Sequence, residues 1–345
     1  MPGHGHDPGH PVAGVALAWD DYLAGLVAEH GSLAAVAERL AATRSYQDDV
    51  DSITRALRRL RGRGSRGGGT WGQRLIATFG LPRAVDARLR FMGSYHARFV
   101  DLPVPLCADL VQLWDRPPTS DSPSGRRWLS LARAILALRA DRRDDAAIHL
   151  ATAAAAADAD PAGGIELALG QAVIASHAAP AVVPAVLAPV PELLARVDGV
   201  DGDCLRARHV GQVAHALNRA GQVARALELH AALPDLPTTA PFARSRRANG
   251  LAYGYHRLGD RELALAWARR AAAHAGDAGH VRLRAMALLM LVRIAGGTDE
   301  GRAAHARAGA IAANLDDDVL RRRCVAAARD LGAGGAGAAA DQAPA

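Results

Sequence analysis

The chain contains no lysine; all 41 of its basic residues are arginine. That absence excludes enzymes built on a Walker A lysine, a Schiff-base or pyridoxal-phosphate lysine, or the protein-kinase lysine. Aromatic residues are scarce, at 4% of 345 residues. The three cysteines, Cys107, Cys204 and Cys324, are too widely spaced for a metal-type pair or a disulfide framework, which fits a reducing compartment. No stretch of about eighteen apolar residues runs uninterrupted by charge or proline, so no membrane partner is expected. The opening Met-Pro-Gly-His-Gly-His lacks the basic region and apolar run of a secretory signal. The expected location is the cytoplasm.

Half of the chain is hydrophobic and alanine is abundant, and alanine-rich segments form helices at little entropic cost. An all-α fold is therefore expected. GC-rich codon bias by itself would produce both the alanine excess and the choice of arginine over lysine, which weakens any argument from total basicity alone. Residues 1–15 and 332–345 offer little to bury and read as disordered tails. The polar, proline-containing stretch 116–125 reads as a linker between domains at 16–115 and 126–331.

The larger part carries an internal period. Gly221, Gly259 and Gly297 are each 38 residues apart. Before the first two lie Val210-Gly-Gln-Val-Ala-His-Ala-Leu-Asn-Arg-Ala and Ala248-Asn-Gly-Leu-Ala-Tyr-Gly-Tyr-His-Arg-Leu, and after them come Ala226-Leu227 and Ala264-Leu265. The third copy, from Met286, keeps its first helix and is degenerate in its second. An earlier copy runs from Trp128 through Arg139 and Asp144 to Leu150, with Arg142 at the turn. A divergent pair follows, interrupted by Pro180, Pro184, Pro189 and Pro191, which break helix hydrogen bonding. Each unit reads as a helix, a glycine turn and a second helix that must stack on its neighbours to bury its apolar face.

This pattern resembles the tetratricopeptide repeat superfamily, although its period exceeds the 34 residues usual there. The resemblance implies a tetratricopeptide-like α-solenoid preceded by a small Arg-rich helical N-terminal domain, and a protein or peptide ligand in the repeat groove. Arg206, Asn218, Arg246, Asn249, Tyr253 and His256 are the candidate protein-binding residues, with Arg282 and Arg293 in the third copy. The resemblance gives first-helix asparagine and arginine the role of holding peptide carboxylates or backbone, against the alternative that they simply face water.

The front end is helical without repetition. Helical spacing appears at Trp19–Val27, Leu33–Ala42 with Ser32 as cap, Asp49–Arg61, Trp71–Phe79 and Arg83–Tyr95. Residues 54–98 contain eleven arginines and one acid, Asp86. Arginine supplies forked donors to phosphate, so Arg55, Arg58, Arg59, Arg61, Arg63 and Arg66 are the candidate nucleic-acid contacts. The segments Gly31–Leu40 and Ser52–Leu60 resemble a helix-turn-helix of bacterial regulators, with eight to ten residues joining the helices against the usual three or four. A solvated basic face is the competing reading.

Other motifs lead nowhere chemical. Gly62, Gly64 and Gly67 satisfy G-x-G-x-x-G, but helical spacing precedes them where a dinucleotide site needs a strand, and a flexible segment is expected instead. His4, His6 and His10 lack companions for a metal site. Cys107 and His96 could form a thiol and base pair, but a cysteine between Leu106 and Ala108 reads more simply as a small buried hydrophobe. His209, His215, His230 and His256 share no ligand spacing. The expected protein is a non-enzymatic regulator or adaptor without cofactor or metal; the alternative is a pure protein-interaction scaffold with no nucleic-acid contact.

Overall fold

The computed structural model describes residues 17–43, 48–156 and 159–332. The expected tails lie outside these residues, except at their inner edge, and so do His4, His6 and His10. Every regular element among the described residues is helical, which makes the fold all-α. The described residues form two compact units, one reaching to Ala87 and adding Asp109–Arg126, the other combining Arg88–Ala108 with the chain from Arg127 onward.

The first unit is centred on α1 (Trp19–His30), α2 (Leu33–Ala41), α3 (Val50–Arg61) and α4 (Gly69–Phe79). Caps fix where these helices begin. Ser32 Oγ accepts from the Ala35 N–H at 3.1 Å, and Asp49 Oδ1 from the Ser52 N–H at 2.8 Å. Residues 42–49 separate α2 from α3, which keeps the long connection read from the sequence. Trp19, Tyr22, Leu23, Val36, Leu40, Ile53, Leu57 and Leu75 form its core, each with no surface exposed.

Trp19 organises the glycine-rich loop that follows α3. Its indole N–H donates to the Arg66 carbonyl at 2.9 Å, and its backbone N–H donates to the Gly64 carbonyl at 2.9 Å. A Cβ on Gly68 would stand 2.2 Å from the indole, and one on Gly72 would stand 2.6 Å from it. The segment expected to be flexible is therefore clasped over a buried ring. A helix precedes it, as the rejection of a dinucleotide site requires, and Asp86 accepts a hydrogen bond from Ser124 Oγ at 2.5 Å. The stretch expected as a linker is likewise folded: Thr119–Asp121 make a 3-10 turn and Thr119 and Ser122 are buried.

The unit boundaries fall within α5 (Arg83–Gly93), α6 (Val104–Trp114) and α7 (Pro123–Arg139), and the second unit continues through α8 (Arg143–Ala155) and α9 (Pro161–Ala178). After α9 the prolines cut the chain into a 3-10 turn and two five-residue helices, α10 (Val183–Leu187) and α11 (Val190–Leu194). Regular pairs then follow: α12 (Gly199–Arg219) with α13 (Val223–Ala231), α14 (Pro241–Arg257) with α15 (Arg261–Asp277), and α16 (Val281–Ala295) with α17 (Asp299–Leu315). The last helix is α18 (Asp318–Gly332). The third copy, degenerate in the sequence of its second helix, still forms that helix in full, since α17 has 17 residues.

One local device recurs at the helix ends. Asp141, Gly221, Gly259, Gly279 and Asp316 adopt left-handed φ values of 55°, 75°, 85°, 67° and 52°. The following N–H reaches back to the fifth preceding carbonyl, as from Arg142 to Ala137 at 2.8 Å, Gln222 to Leu217 at 2.9 Å and Asp260 to Tyr255 at 3.0 Å. Aspartate tolerates this conformation better than most residues with a side chain, so the earliest copy turns at Asp141 rather than Arg142. In the third copy the left-handed residue is Gly296, one before the periodic Gly297.

Successive first helices stack directly: α9 on α12, α12 on α14, α14 on α16, and α16 on α18. This translational order defines a helical-repeat solenoid. Alanines at helical spacing permit the close approach. On α15, Ala264, Ala268, Ala271 and Ala275 are fully buried, and on α17 Ala304, Ala308 and Ala312 fill the same role.

Two glycine substitutions should separate packing from backbone entropy in the first unit. Gly72→Ala drives a methyl into the Trp19 ring and should cost about 1–3 kcal/mol. Gly25 is exposed within α1 with nothing near its Cβ position, so Gly25→Ala should stabilise by roughly 0.5–1 kcal/mol. Equilibrium urea unfolding measures both; a neutral Gly72→Ala would contradict the clasp.

Candidate functional site

In the second unit, residues 94–101 cross the row of first helices as a strap. The Tyr95 N–H donates to Glu166 Oε1 on α9 at 3.2 Å. His96 Nε2 lies 2.9 Å from Asp201 Oδ1 on α12, and its Nδ1 lies 3.4 Å from Glu166 Oε1. Phe242 of α14 meets the edges of His96 and His280, with ring centres 6.0 and 5.5 Å away. Asp101 Oδ1 accepts from the backbone N–H of Arg282 on α16 at 2.7 Å.

A ladder of charged side chains faces this strap, one from each first helix. Glu166 of α9 pairs with Arg208 of α12. The Arg208 guanidinium lies 4.7 Å from the Tyr95 ring centre. Arg282 of α16 donates to the Tyr95 hydroxyl and, through Nε, to Asp317 Oδ2 at 2.8 Å. Arg139 of α7 donates to the same Asp317 oxygen at 3.0 Å. Arg246 of α14 and Arg323 of α18 complete the set, and among the described residues neither has a carboxylate within ion-pair distance.

These surroundings set the protonation states. Burial disfavours charge on Glu166, but Arg208 and His96 outweigh it and bring the carboxyl down to about 2. Burial would likewise lower His96, and hydrogen bonding to Asp201 and Glu166 reverses the direction. For Tyr95, burial opposes ionisation, yet the four arginines Arg282, Arg246, Arg208 and Arg323 pull the phenol below its ordinary value.

Of the six residues expected to bind a partner, Arg246 belongs to this ladder. Asn218 and Asn249 are partly buried on α12 and α14, and each has a buried Oδ1 that meets no donor. Tyr253 is half-buried and its hydroxyl accepts from Arg257 at 2.9 Å. His256 lies on the same helix, half-buried. Arg206 is exposed; its neighbour Arg208 is the residue turned inward. Arg208 could have been found from the period, since it precedes Gly221 by the same interval that separates Arg246 from Gly259. Tyr95 carried no comparable signal.

Cys107 is the small buried residue expected and does not pair with His96. Its thiol donates to the Phe99 carbonyl at 3.2 Å, and burial pushes its pKa up to about 11. His96 serves Asp201 and Glu166 instead. His230 packs its ring where a Cβ on Gly250 would stand, and burial lowers it to about 4.

In the first unit, α3 separates its residue types by face. Ile53, Ala56, Leu57 and Leu60 are buried, while Arg55, Arg58, Arg59 and Arg61 are exposed on the opposite side. Arg63 and Arg66 follow on the loop, also exposed. Their hydrogen bonds go to backbone carbonyls or Ser52, as from Arg63 Nη1 to the Gly67 carbonyl at 2.7 Å. None of the six pairs with a carboxylate among the described residues.

No protein-family model, curated protein or solved structure matches the chain. Among the described residues no helix is long and apolar enough to cross a membrane.

The strap predicts a pH signature. A raised His96 pKa adds stability that is complete below pH 6.5 and is lost as pH rises through the raised value. Glu166 acts at the opposite end, with stability present above 4.5 and lost as pH falls toward 2. The melting temperature should therefore decline above about pH 6.5 in the native chain and stay flatter in His96→Gln. Parallel pH profiles for the two proteins would remove His96 from the account.

Proposed function

We propose that the protein is a regulator or adaptor of the cytoplasm. In this reading its repeat unit, similar to the tetratricopeptide superfamily, holds a protein or peptide on the row of first helices, and its N-terminal unit contacts nucleic acid. The observation that carries the nucleic-acid half is the exposed arginine face of α3, left without carboxylate partners and continued by Arg63 and Arg66. Guanidinium groups in such an array suit phosphate oxygens, and α2 with α3 gives the helix pair that a regulator inserts. The partner-binding half is supported by the polar ladder and by the unmatched amide oxygens of Asn218 and Asn249 on neighbouring first helices. Binding rather than catalysis is favoured by a Cys107 thiol held protonated and a His96 engaged by carboxylates. Transcriptional control is the role such an arrangement would serve.

Fluorescence anisotropy of full-length protein with a labelled duplex at several salt concentrations tests the first half. Arg58→Ala combined with Arg59→Ala should weaken binding across sequences and reduce the log–log salt slope by about two. Absence of duplex binding by the native chain would leave the pure interaction scaffold as the reading. Photo-crosslinking from Asn249 and Tyr253 tests the second half, with covalent capture of a protein partner expected and its absence from both positions counting against the groove.

A further inference from the structure

We infer that Arg246 and Arg323 form a seat for a phosphoryl dianion on the row of first helices, beside Tyr95. The seat would give the partner-binding row its ligand class, and that deepening rests on the row being a binding face; binding of the phosphoryl group itself is tested separately.

The inference begins with charge balance. The five guanidiniums of Arg139, Arg208, Arg246, Arg282 and Arg323 have two carboxylates as ion-pair partners, Glu166 and Asp317, three fewer than their own number, while Asp101 and Asp201 serve the Arg282 backbone N–H and the His96 ring. Three of the five guanidiniums hold those carboxylates. The remaining two do not. Arg323 directs Nη1 at Met286 Sδ, 3.2 Å away, and a thioether is a weak acceptor for a guanidinium. Arg246 lies against the backbone of α12 at Gly211, where a Cβ would come within 2.9 Å of its Nη2. The missing side chain gives Arg246 a place on the row without giving it a counter-charge.

Partly buried cations without carboxylates are costly unless an anion joins them. The electrostatic surroundings agree. Burial and the neighbouring arginines hold both Arg246 and Arg323 below the usual guanidinium range. The Arg208 guanidinium of α12 lies over the Tyr95 ring and Arg282 of α16 donates to its hydroxyl; with Arg246 of α14 and Arg323 of α18 adding to the field, these cations draw the phenol toward ionisation against its burial, even with Glu166 on its backbone N–H. Farther along the row, His177 and His215 feel Arg219 and Arg323 and are lowered by burial and by those cations, so the positive field extends past the ladder.

A phosphoryl group suits this arrangement better than a carboxylate does. It brings up to two charges and three acceptor oxygens, enough to meet two forked guanidiniums at once. A carboxylate brings one charge, one fewer than the two guanidiniums carry. The phosphoryl group could come from a free small molecule or from a phosphorylated peptide segment, and the two sources share this chemistry.

The test is calorimetric titration of the full-length chain at pH 7.5 with phosphoserine, with an eight-residue peptide carrying one phosphoserine, and with its glutamate counterpart. A phosphoryl probe should bind, and Arg246→Gln and Arg323→Gln should each weaken it at least tenfold, the loss of one charge-assisted pair. Arg58→Ala with Arg59→Ala should leave that affinity unchanged. Similar affinity for phosphoserine and phosphopeptide would identify the source as a free monoester; a markedly tighter phosphopeptide would identify it as a peptide-borne group.

Two further readouts guard against misfolding as an explanation. Without ligand, Arg246→Gln should melt no lower than the native chain, because an uncompensated charge has been removed. A phosphoryl ligand should also move the tyrosinate transition at 295 nm to higher pH, and Tyr95→Phe should abolish that movement. The proposal is overturned if no phosphoryl probe binds, if binding survives in both glutamine variants, or if the glutamate peptide binds as tightly as the phosphopeptide. Loss of binding in the Arg58/Arg59 variant alone would assign phosphate to the first unit, sinking the seat while leaving nucleic-acid contact standing.

Discussion

The central constraint on the second unit is that like charges must share one row. Stacking brings equivalent faces of successive first helices together, so Arg208 and Arg282 reach the same phenol and Arg246 and Arg323 add to the field on it. Two like charges about 7 Å apart at an effective dielectric of about 20 repel by roughly 2 kcal/mol. The fold contains this repulsion with Glu166 near one end and Asp317 near the other, each held ionised against burial by the arginines it serves. The strap adds a phenol and a histidine between them. Alanine packing on α15 and α17 supplies apolar cohesion away from the ladder, where no charge need be buried.

The first unit handles its arginines differently. On α3 the apolar residues occupy one side and the cations the other, so the cations remain in water and add little to stability either way. Cohesion comes from Trp19, whose ring is enclosed by glycines that could not be larger. Arginine therefore has two physical situations in one chain. On α3 it is solvated and exchangeable; on the repeat row it is desolvated and either paired or in need of a partner.

Local features were legible in the sequence because their causes are local. Ser32 and Asp49 mark helix starts through bonds to residues three positions away, and Gly221 and Gly259 mark turns through their own φ values. The period also placed Arg246 on a first helix. It could not reveal that Asp141 and Asp316 substitute for turn glycines, since aspartate is equally at home in a cap or on a surface. The strap was hidden for a different reason. The contact of Tyr95 with Arg282 joins residues 187 positions apart, and neither has a neighbourhood that distinguishes it from many other helical residues. The glycine-rich loop was misread because a run of glycines signals freedom unless the bulky ring it encloses is known.

The divergence of the earlier repeat fits the same logic. Between α9 and α12 the four prolines replace a long second helix with short turns, and there the row carries Glu166 rather than another arginine. A regular pair at that position would continue the cationic series toward a neighbour already occupied by Arg208. A carboxylate there ends it, because Arg208 gains a partner and the backbone of the strap gains an acceptor. At the far end Asp317 ends the series again, placed by the left-handed turn at Asp316 and bonded to the Leu320 N–H at 2.9 Å. Irregularity at the two ends therefore has one electrostatic consequence: within the ladder, the guanidiniums left without a carboxylate are those of α14 and α18, Arg246 and Arg323.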